Sequence, residues 1–250
     1  MSSIFDLHVH TNQGSPDSAL TPDELVSETR RLGLTGAMVT EHNGWPRHDF
    51  DNFVQSHDLH DIVLVRALEV YTPLGHIITM GLEGHVTGPS GGIETIRHLR
   101  QEVDRVGGYM ILAHPFRFLF DPAGIHTQNY LFETTASIPS TPEEGALHPI
   151  FELVDDVEVV NGGNIEVENR FAQEVTNVLG RFGTGGSDAH SVQGFAKGTT
   201  VFKGDIRNEG DLLEALRAGD FFPVEGFHVG RPSYYGRASM WEPSLMDALP

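Results

Sequence analysis

The sequence predicts an α/β fold whose strands close into a barrel, and three observations carry that reading. Short β-like runs alternate serially with helical patterns, the signature of a largely parallel sheet with crossover helices. Histidines and carboxylates recur at the C-terminal ends of the expected strands, the rim on which α/β barrels assemble chemistry. The 250 residues are long enough to bury a sizeable core, and 1–250 reads as a single domain.

The elements follow in order. Ile4–His10 alternates apolar and polar residues, a strand signal. Thr21-Pro22-Asp23-Glu24 is a capping box with proline at the first helical position. Leu25, Val26, Thr29 and Leu32 share one face of the helix it opens, and Gly33 closes that helix. Gly36–Thr40 and Ile62–Tyr71 read as buried strands, and His76–Met80 as another after a Pro-Leu-Gly turn. A helix over Ile93–Val106 leads to a strand over Tyr109–Ala113. The series continues with strand Asp156–Val160, helix Glu166–Arg181, strands Gly183–Gly185 and Thr199–Phe202, and helix Glu209–Ala218. Phe116–Leu147 breaks the rhythm, and an aperiodic segment this long is an active-site loop or an insertion. As a mobile lid it would offer Phe116, Phe118, Phe120, Tyr130 and Phe132 to a substrate. Residues 219–250, with Tyr234, Tyr235 and Trp241, are too aromatic for a linker and are expected to pack on the body.

Composition narrows the function. Hydrophobic residues make up 39% and charged residues 20%, a globular balance that excludes wholesale disorder. No stretch approaches the roughly 20 apolar residues of a membrane span. MSSIFDLHVH does not read as a signal peptide, so a cytoplasmic location is expected. Zero cysteines exclude disulfides, thiolate zinc sites and iron–sulfur clusters. Sixteen basic residues face 35 acidic ones, for a net charge of −19. So negative a surface repels long nucleic acids and anionic membranes and suits divalent cations.

The 14 histidines are placed with purpose. His8 and His10 are two apart at a strand end, so both imidazoles project to one side. His42 ends the next strand, in T-E-H-N. Glu69 lies in an apolar strand, where a carboxylate is costly unless paired or metal-bound. His76 opens one strand and His114 closes another. In Gly185-Gly186-Ser187-Asp188-Ala189-His190 a glycine-hinged strand end throws a carboxylate and an imidazole to the same side. A mixed nitrogen and oxygen donor set of this kind suits zinc, manganese or iron better than calcium or magnesium. His57, His60, His85, His98, His126, His148 and His228 read as ordinary surface or core residues, and Arg47 and His48 as marginal rim candidates.

These residues carry a family resemblance. D-L-H-V-H-T (6–11), S-P-D (15–17), L-T-P-D-E-L (20–25), T-E-H-N (40–43), L-E-V (68–70), A-H-P (113–115), E-V-V-N-G (158–162) and G-S-D-A-H (186–190) closely resemble the PHP (polymerase and histidinol phosphatase) superfamily. The motifs fall in family order across residues 4–202. The resemblance implies a distorted (β/α)7 barrel, TIM-barrel-like, with three divalent metal ions at the rim and phosphoesterase activity. Carried over by position, His8, His10, Glu69 and Asp188 hold the first metal. Glu69 bridges to a second held by His76 and His114, while Asp17, His42 and His190 hold the third. The chain departs from the family's common S-D-G in reading Ser15-Pro16-Asp17-Ser18, which bears on the placement of Asp17. It has T-E-H for the commoner T-D-H, which gives Glu41 a supporting role. The short spacing from Glu69 to His76 resembles the compact, stand-alone members.

The expected chemistry is hydrolysis of a small phosphate ester (a mononucleotide, short oligonucleotide or sugar phosphate) by a metal-bridging hydroxide, with no side-chain nucleophile. Arg117 would hold a phosphate oxygen, so that its loss weakens substrate binding and leaves metal content unchanged. Asn161 would orient the substrate. Two alternatives stay open: a metal-binding structural or regulatory module without turnover, and a monometal amidohydrolase. A dinuclear amidohydrolase bridged by a carboxylated lysine does not fit, because Lys197 and Lys203 both follow the last strand motif.

Overall fold

The computed structural model describes residues 2–89 and 91–235. The chain runs β1 (Ser2–Val9), α1 (Pro22–Leu32), β2 (Gly36–Glu41), α2 (Arg47–Ser56), β3 (Val63–Thr72), β4 (Gly75–Met80), α3 (Gly92–Arg105) and β5 (Tyr109–Leu112). It continues through α4 (Pro142–Ala146), β6 (Asp156–Asn161), α5 (Glu166–Val178), β7 (Thr184–Gly186), β8 (Gly198–Lys203), α6 (Glu209–Ala218), β9 (Phe221–Glu225) and β10 (Ser233–Tyr234). One ten-stranded sheet takes the order β10-β9-β8-β1-β2-β3-β4-β5-β6-β7. It curls until the chain just after β7 returns to β1, where Asp188 N–H donates to His8 O and His10 N–H to Ala189 O. The fold is a distorted, TIM-barrel-like α/β architecture.

The sheet is mixed rather than parallel throughout. β3 and β4 form an antiparallel hairpin, and β8 and β10 also run against their neighbours. The other seven strands point the same way. Residues 221–234, expected only to pack on the body, supply two strands of this sheet, whereas Trp241 and the rest of 236–250 lie outside the described residues.

Local chemistry sets the elements. Thr21 and Glu24 cap α1 reciprocally and Gly33, in the left-handed conformation at φ 69°, closes it with its N–H on the Arg30 and Thr29 carbonyls, satisfying end groups that a helix leaves open. Outside the sheet, α1 and α2 cover one side through Leu25, Val26 and Phe50. On another side α3 and α5 add Ile96, Leu99, Phe171 and Val175. The inside is filled by Phe5, Leu7, Met38, Val65, Ala67, Ile78, Met80 and Ile111, joined by Leu212 and Leu216 of α6. Strand alternation then puts Glu69 in line with Val65 and Ala67, and His76 in line with Ile78 and Met80, at the open end of that interior.

β1 reaches the same result through a bulge. Its register on β2 slips between Asp6 and Val9. Phe5 and Leu7 face the interior before the slip, while Val9 packs outward after it. The extra residue re-aims the strand, and His8 and His10 turn inward.

Candidate metal centre

Every expected ligand arrives at one place. Glu69, 1% exposed, is ringed by five imidazoles. Its Oε1 lies 2.9 Å from His76 Nδ1, 3.1 Å from His114 Nε2 and 3.4 Å from His8 Nε2. Its Oε2 lies 3.1 Å from His42 Nδ1 and 3.4 Å from His10 Nε2. Asp188 Oδ1 completes a second group, 3.4 Å from His8 Nε2 and 3.3 Å from His10 Nε2. Asp17, despite its shifted motif, brings Oδ2 to 3.3 Å from His42 Nε2 and 3.4 Å from His190 Nε2. His10, His42 and His190 also converge without it.

The backbone is bent to make this possible. His114 and Asp188 are both left-handed, φ 29° and 54°, a conformation that costs non-glycine residues energy and gathers at functional sites. Gly186 is dictated by space, since a Cβ there would sit 2.4 Å from His8 Cβ and 2.6 Å from Glu158 Oε1.

Hydrogen bonds behind the cluster fix the tautomers. Ser15 Oγ donates to Glu41 Oε2 and accepts the His42 N–H at 3.0 Å. With its one proton committed, it accepts from His10 Nδ1 at 3.1 Å. His10 Nε2 is therefore a bare lone pair, and it points at His8 Nε2, 3.1 Å away. His8 Nδ1 in turn faces Glu158 Oε1 at 3.0 Å. Imidazole lone pairs and carboxylate oxygens crowded at such distances repel unless a cation lies among them. Buried His76 Nε2 has no hydrogen-bond partner among the described residues. The donor set fits divalent metal.

Charge states agree. Burial opposes ionisation of Glu69, yet His8 and the bonds from His114, His42 and His76 hold its carboxyl well below the usual range. Asp188 is held down likewise, against burial, by His8, His10, His114 and Arg117. Burial pushes His10 down to about 4, and burial with Arg117 lowers His114. His8 goes the other way. Burial disfavours its charge, but Glu158, Asp188 and Glu69 raise it well above the ordinary imidazole value, so a metal would displace a proton there.

Two expectations change. Asn161 is 1% exposed and turned into the protein. Its Nδ2 donates to Glu158 Oε2 at 2.9 Å, while Oδ1 accepts from Arg117 Nη2 and from the Gly163 N–H. It braces Arg117 rather than facing a substrate. Arg117 is itself tied to a ligand, its Nη2 2.7 Å from Asp188 Oδ2, and its Nε donates to Asn164 Oδ1. Its loss is therefore expected to reach the metal group as well, a wider effect than the substrate-only role read from the sequence. Arg47 pairs with Glu83 and Glu209, and His48 Nε2 accepts from Asn52 Nδ2. Of the loop aromatics, Phe116 and Phe132 are core residues and Phe120 packs edge-on against Phe171. Only Phe118 and Tyr130 remain on the rim.

Sequence reasoning passed over Glu158, Ser15 and Tyr71. The signal for Glu158 was the one that singled out Glu69, an acid inside an apolar strand. Tyr71 hydroxyl lies 3.2 Å from His42 Nε2, and burial with nearby Glu69 and Asp17 raises it to about 12.

Comparisons with known proteins bear on the family and the fold. The model of the PHP domain matches residues 6–119 and that of the PHP-associated region residues 166–221. PsfC from Pseudomonas syringae PB-5123 shares the fold at a TM-score of 0.58 and 13% identity, over 90% of this chain and 92% of that one. A protein provisionally assigned as a metal-dependent phosphoesterase, from Bifidobacterium adolescentis, gives 0.53 and 14%, over 86% and 96%. The lesion-specific endonuclease Q of Pyrococcus furiosus gives 0.51 and 13%, over 89% of this chain and 58% of that one. At such identities the likeness is one of fold. No curated protein matches the sequence. The two family matches together span more than half of the chain, and this chain belongs to the PHP family.

Proposed function

We propose that the chain is a metal-dependent phosphoesterase that hydrolyses a small phosphate ester, with three divalent ions of zinc, manganese or iron. The observation that carries this is Glu69, a buried carboxylate with both oxygens turned toward imidazoles from β1, β2, β4 and the end of β5. His8, His10, Glu69 and Asp188 would hold one ion, Glu69 with His76 and His114 a second, and Asp17, His42 and His190 the third. Divalent ions there would acidify water and draw charge from phosphate oxygens.

The protein's own groups do the rest. Glu158 and the Glu41–Ser15 pair hold His8 and His10 in the tautomers that leave Nε2 free to ligate. Arg117 balances Asp188 and turns a guanidinium toward the same space, where it can meet an anionic substrate. The Tyr71 hydroxyl stays protonated at neutral pH and so keeps a proton to donate there. The PHP family match supports phosphate-ester chemistry, while an amidohydrolase from Chromobacterium violaceum among the fold neighbours keeps amide hydrolysis as the second reading. The net charge of −19, with most arginines paired to acids, favours a small substrate over a long nucleic acid.

The test is elemental analysis of chelator-free protein together with phosphate release from an ester panel. More than one transition metal per chain and release from at least one ester are expected. Metal-replete protein that hydrolyses none would leave a binding module.

A further inference from the structure

Phe118 and Tyr130 are 49% and 50% exposed, yet both sit on firmly anchored backbone. Phe118 is left-handed, φ 60°, which a bulky side chain adopts only when its surroundings impose it. Its N–H donates at 2.5 Å to Glu168, a carboxylate of the first turn of α5 that is itself buried. Tyr130 follows Asn129, whose Nδ2 donates to Pro115 O and Arg117 O and whose Oδ1 accepts from the Leu131 and Phe132 N–H groups. Two rings are thus held in place with their faces left bare.

Between them lies a cavity of about 110 Å³, walled by Leu74, Pro115, Phe118 and Tyr130 and ending on His76 and His114. Tyr130 stands 5.6 Å from the His76 ring, and Tyr71, 56% exposed, meets that ring edge-on at 4.3 Å from the other side. These three are the most exposed Phe and Tyr side chains among the described residues. Gln128 also lines the cavity, and its side-chain amide makes no hydrogen bond to any described residue. Grouped, solvated aromatic faces beside a reactive centre point to a ligand.

We infer that Phe118, Tyr130 and Gln128 form the leaving-group subsite and that it selects a planar aromatic ring, such as a nucleobase, over a bare sugar. The inference rests on the phosphoesterase reading. The cavity is well below the roughly 300 Å³ at which whole-ligand sites begin, so it takes one ring of a substrate whose phosphate lies on the metal ligands. Its apolar walls can stack on a ring, whereas sugar hydroxyls would lose water there without gaining partners. The Gln128 amide, a donor and an acceptor together, can read the ring's polar edge.

The test compares adenosine 5′-monophosphate with ribose 5-phosphate, which share the phosphate and the leaving oxygen and differ in the base. Steady-state phosphate release gives kcat/KM for each, and calorimetry on the metal-loaded full chain gives binding of adenosine and of ribose without turnover. A preference for the nucleotide of roughly ten- to a hundred-fold is expected, with adenosine bound more tightly than ribose. Phe118→Gly with Tyr130→Leu should bring both ratios toward one, the glycine suiting the left-handed backbone, while Tyr130→Phe keeps them. Metal content is measured alongside. Equal kcat/KM and equal binding in the wild-type protein overturn the subsite. Tight adenosine binding with no ester of the wider panel hydrolysed keeps a ring-binding site but overturns both the phosphoesterase reading and the leaving-group role.

Discussion

Glu158 shows how much of the site depends on a residue that need not touch metal. It is 2% exposed, and its two oxygens serve His8 Nδ1, the His114 N–H and Asn161 Nδ2. Glu158→Gln replaces an all-acceptor group with one that must present an NH2 to a donor. Metal affinity should fall about 10- to 100-fold with the fold intact, as read by competition with a metal buffer and by circular dichroism; wild-type affinity would remove Glu158 from the site. Arg117→Ala should lower metal affinity and kcat/KM together, because the guanidinium at 2.7 Å balances Asp188. A fall in kcat/KM alone would restore a purely substrate-facing role. Eight of the nine expected ligands were legible because each stands in a strand or near a strand end as a metal-ligating type, and Asp17 came from the family resemblance alone. Glu158 carried the same signal, but D-V-E-V-V also reads as an ordinary half-exposed alternating strand. Alternation cannot tell an inward acid from an outward one when both faces of a strand are buried.

The loop between β5 and α4 is the element whose character the sequence left most open. Its lack of period is real, but order comes from Asn129, buried and bonded to four backbone groups, and from Phe132 in the core. Such anchoring is specific side-chain chemistry at single positions, invisible to any periodicity. Asn129→Ala should cost about 2–4 kcal/mol through lost bonds and stranded buried groups. Hydrogen exchange should rise first in the loop; wild-type protection there would place the anchor elsewhere. Strand direction was hidden for a related reason. β4 and β8 are buried on both faces and read as parallel strands do, and only the short Pro73–Gly75 turn hinted that β4 reverses. α2 went unread because it is short, starts at Pro46 without a side-chain capping bond and buries only Phe50 among its residues.

Two populations of carboxylate decide how the whole molecule answers pH. Glu69 and Asp188, held low by their imidazoles and Arg117, stabilise the fold above the ordinary carboxylate range and lose that contribution as pH falls through it. Asp156 does the opposite. It lies at the start of β6, 4% exposed, and burial raises it from 3.8 to about 7 despite bonds from the Val157 and Gly183 N–H groups and the nearby Arg181. Between those two values the unfolded chain has given up this proton and the folded chain keeps it. Stability therefore falls as pH rises from about 4 to about 7, by about 1.4 kcal/mol for each pH unit, and is level on either side. Asp156→Asn removes this titration while keeping a side-chain oxygen for the Val157 N–H. Denaturant unfolding of both proteins from pH 4 to 8 isolates the effect, because Asp6, raised by burial to about 7 as well, contributes equally to each and cancels. The variant should gain on the wild type by a few kcal/mol across that interval and hold the gain above pH 7. The slope is the measure, since a changed hydrogen bond would add only a constant offset. Parallel curves would mean that Asp156 ionises normally in the folded protein.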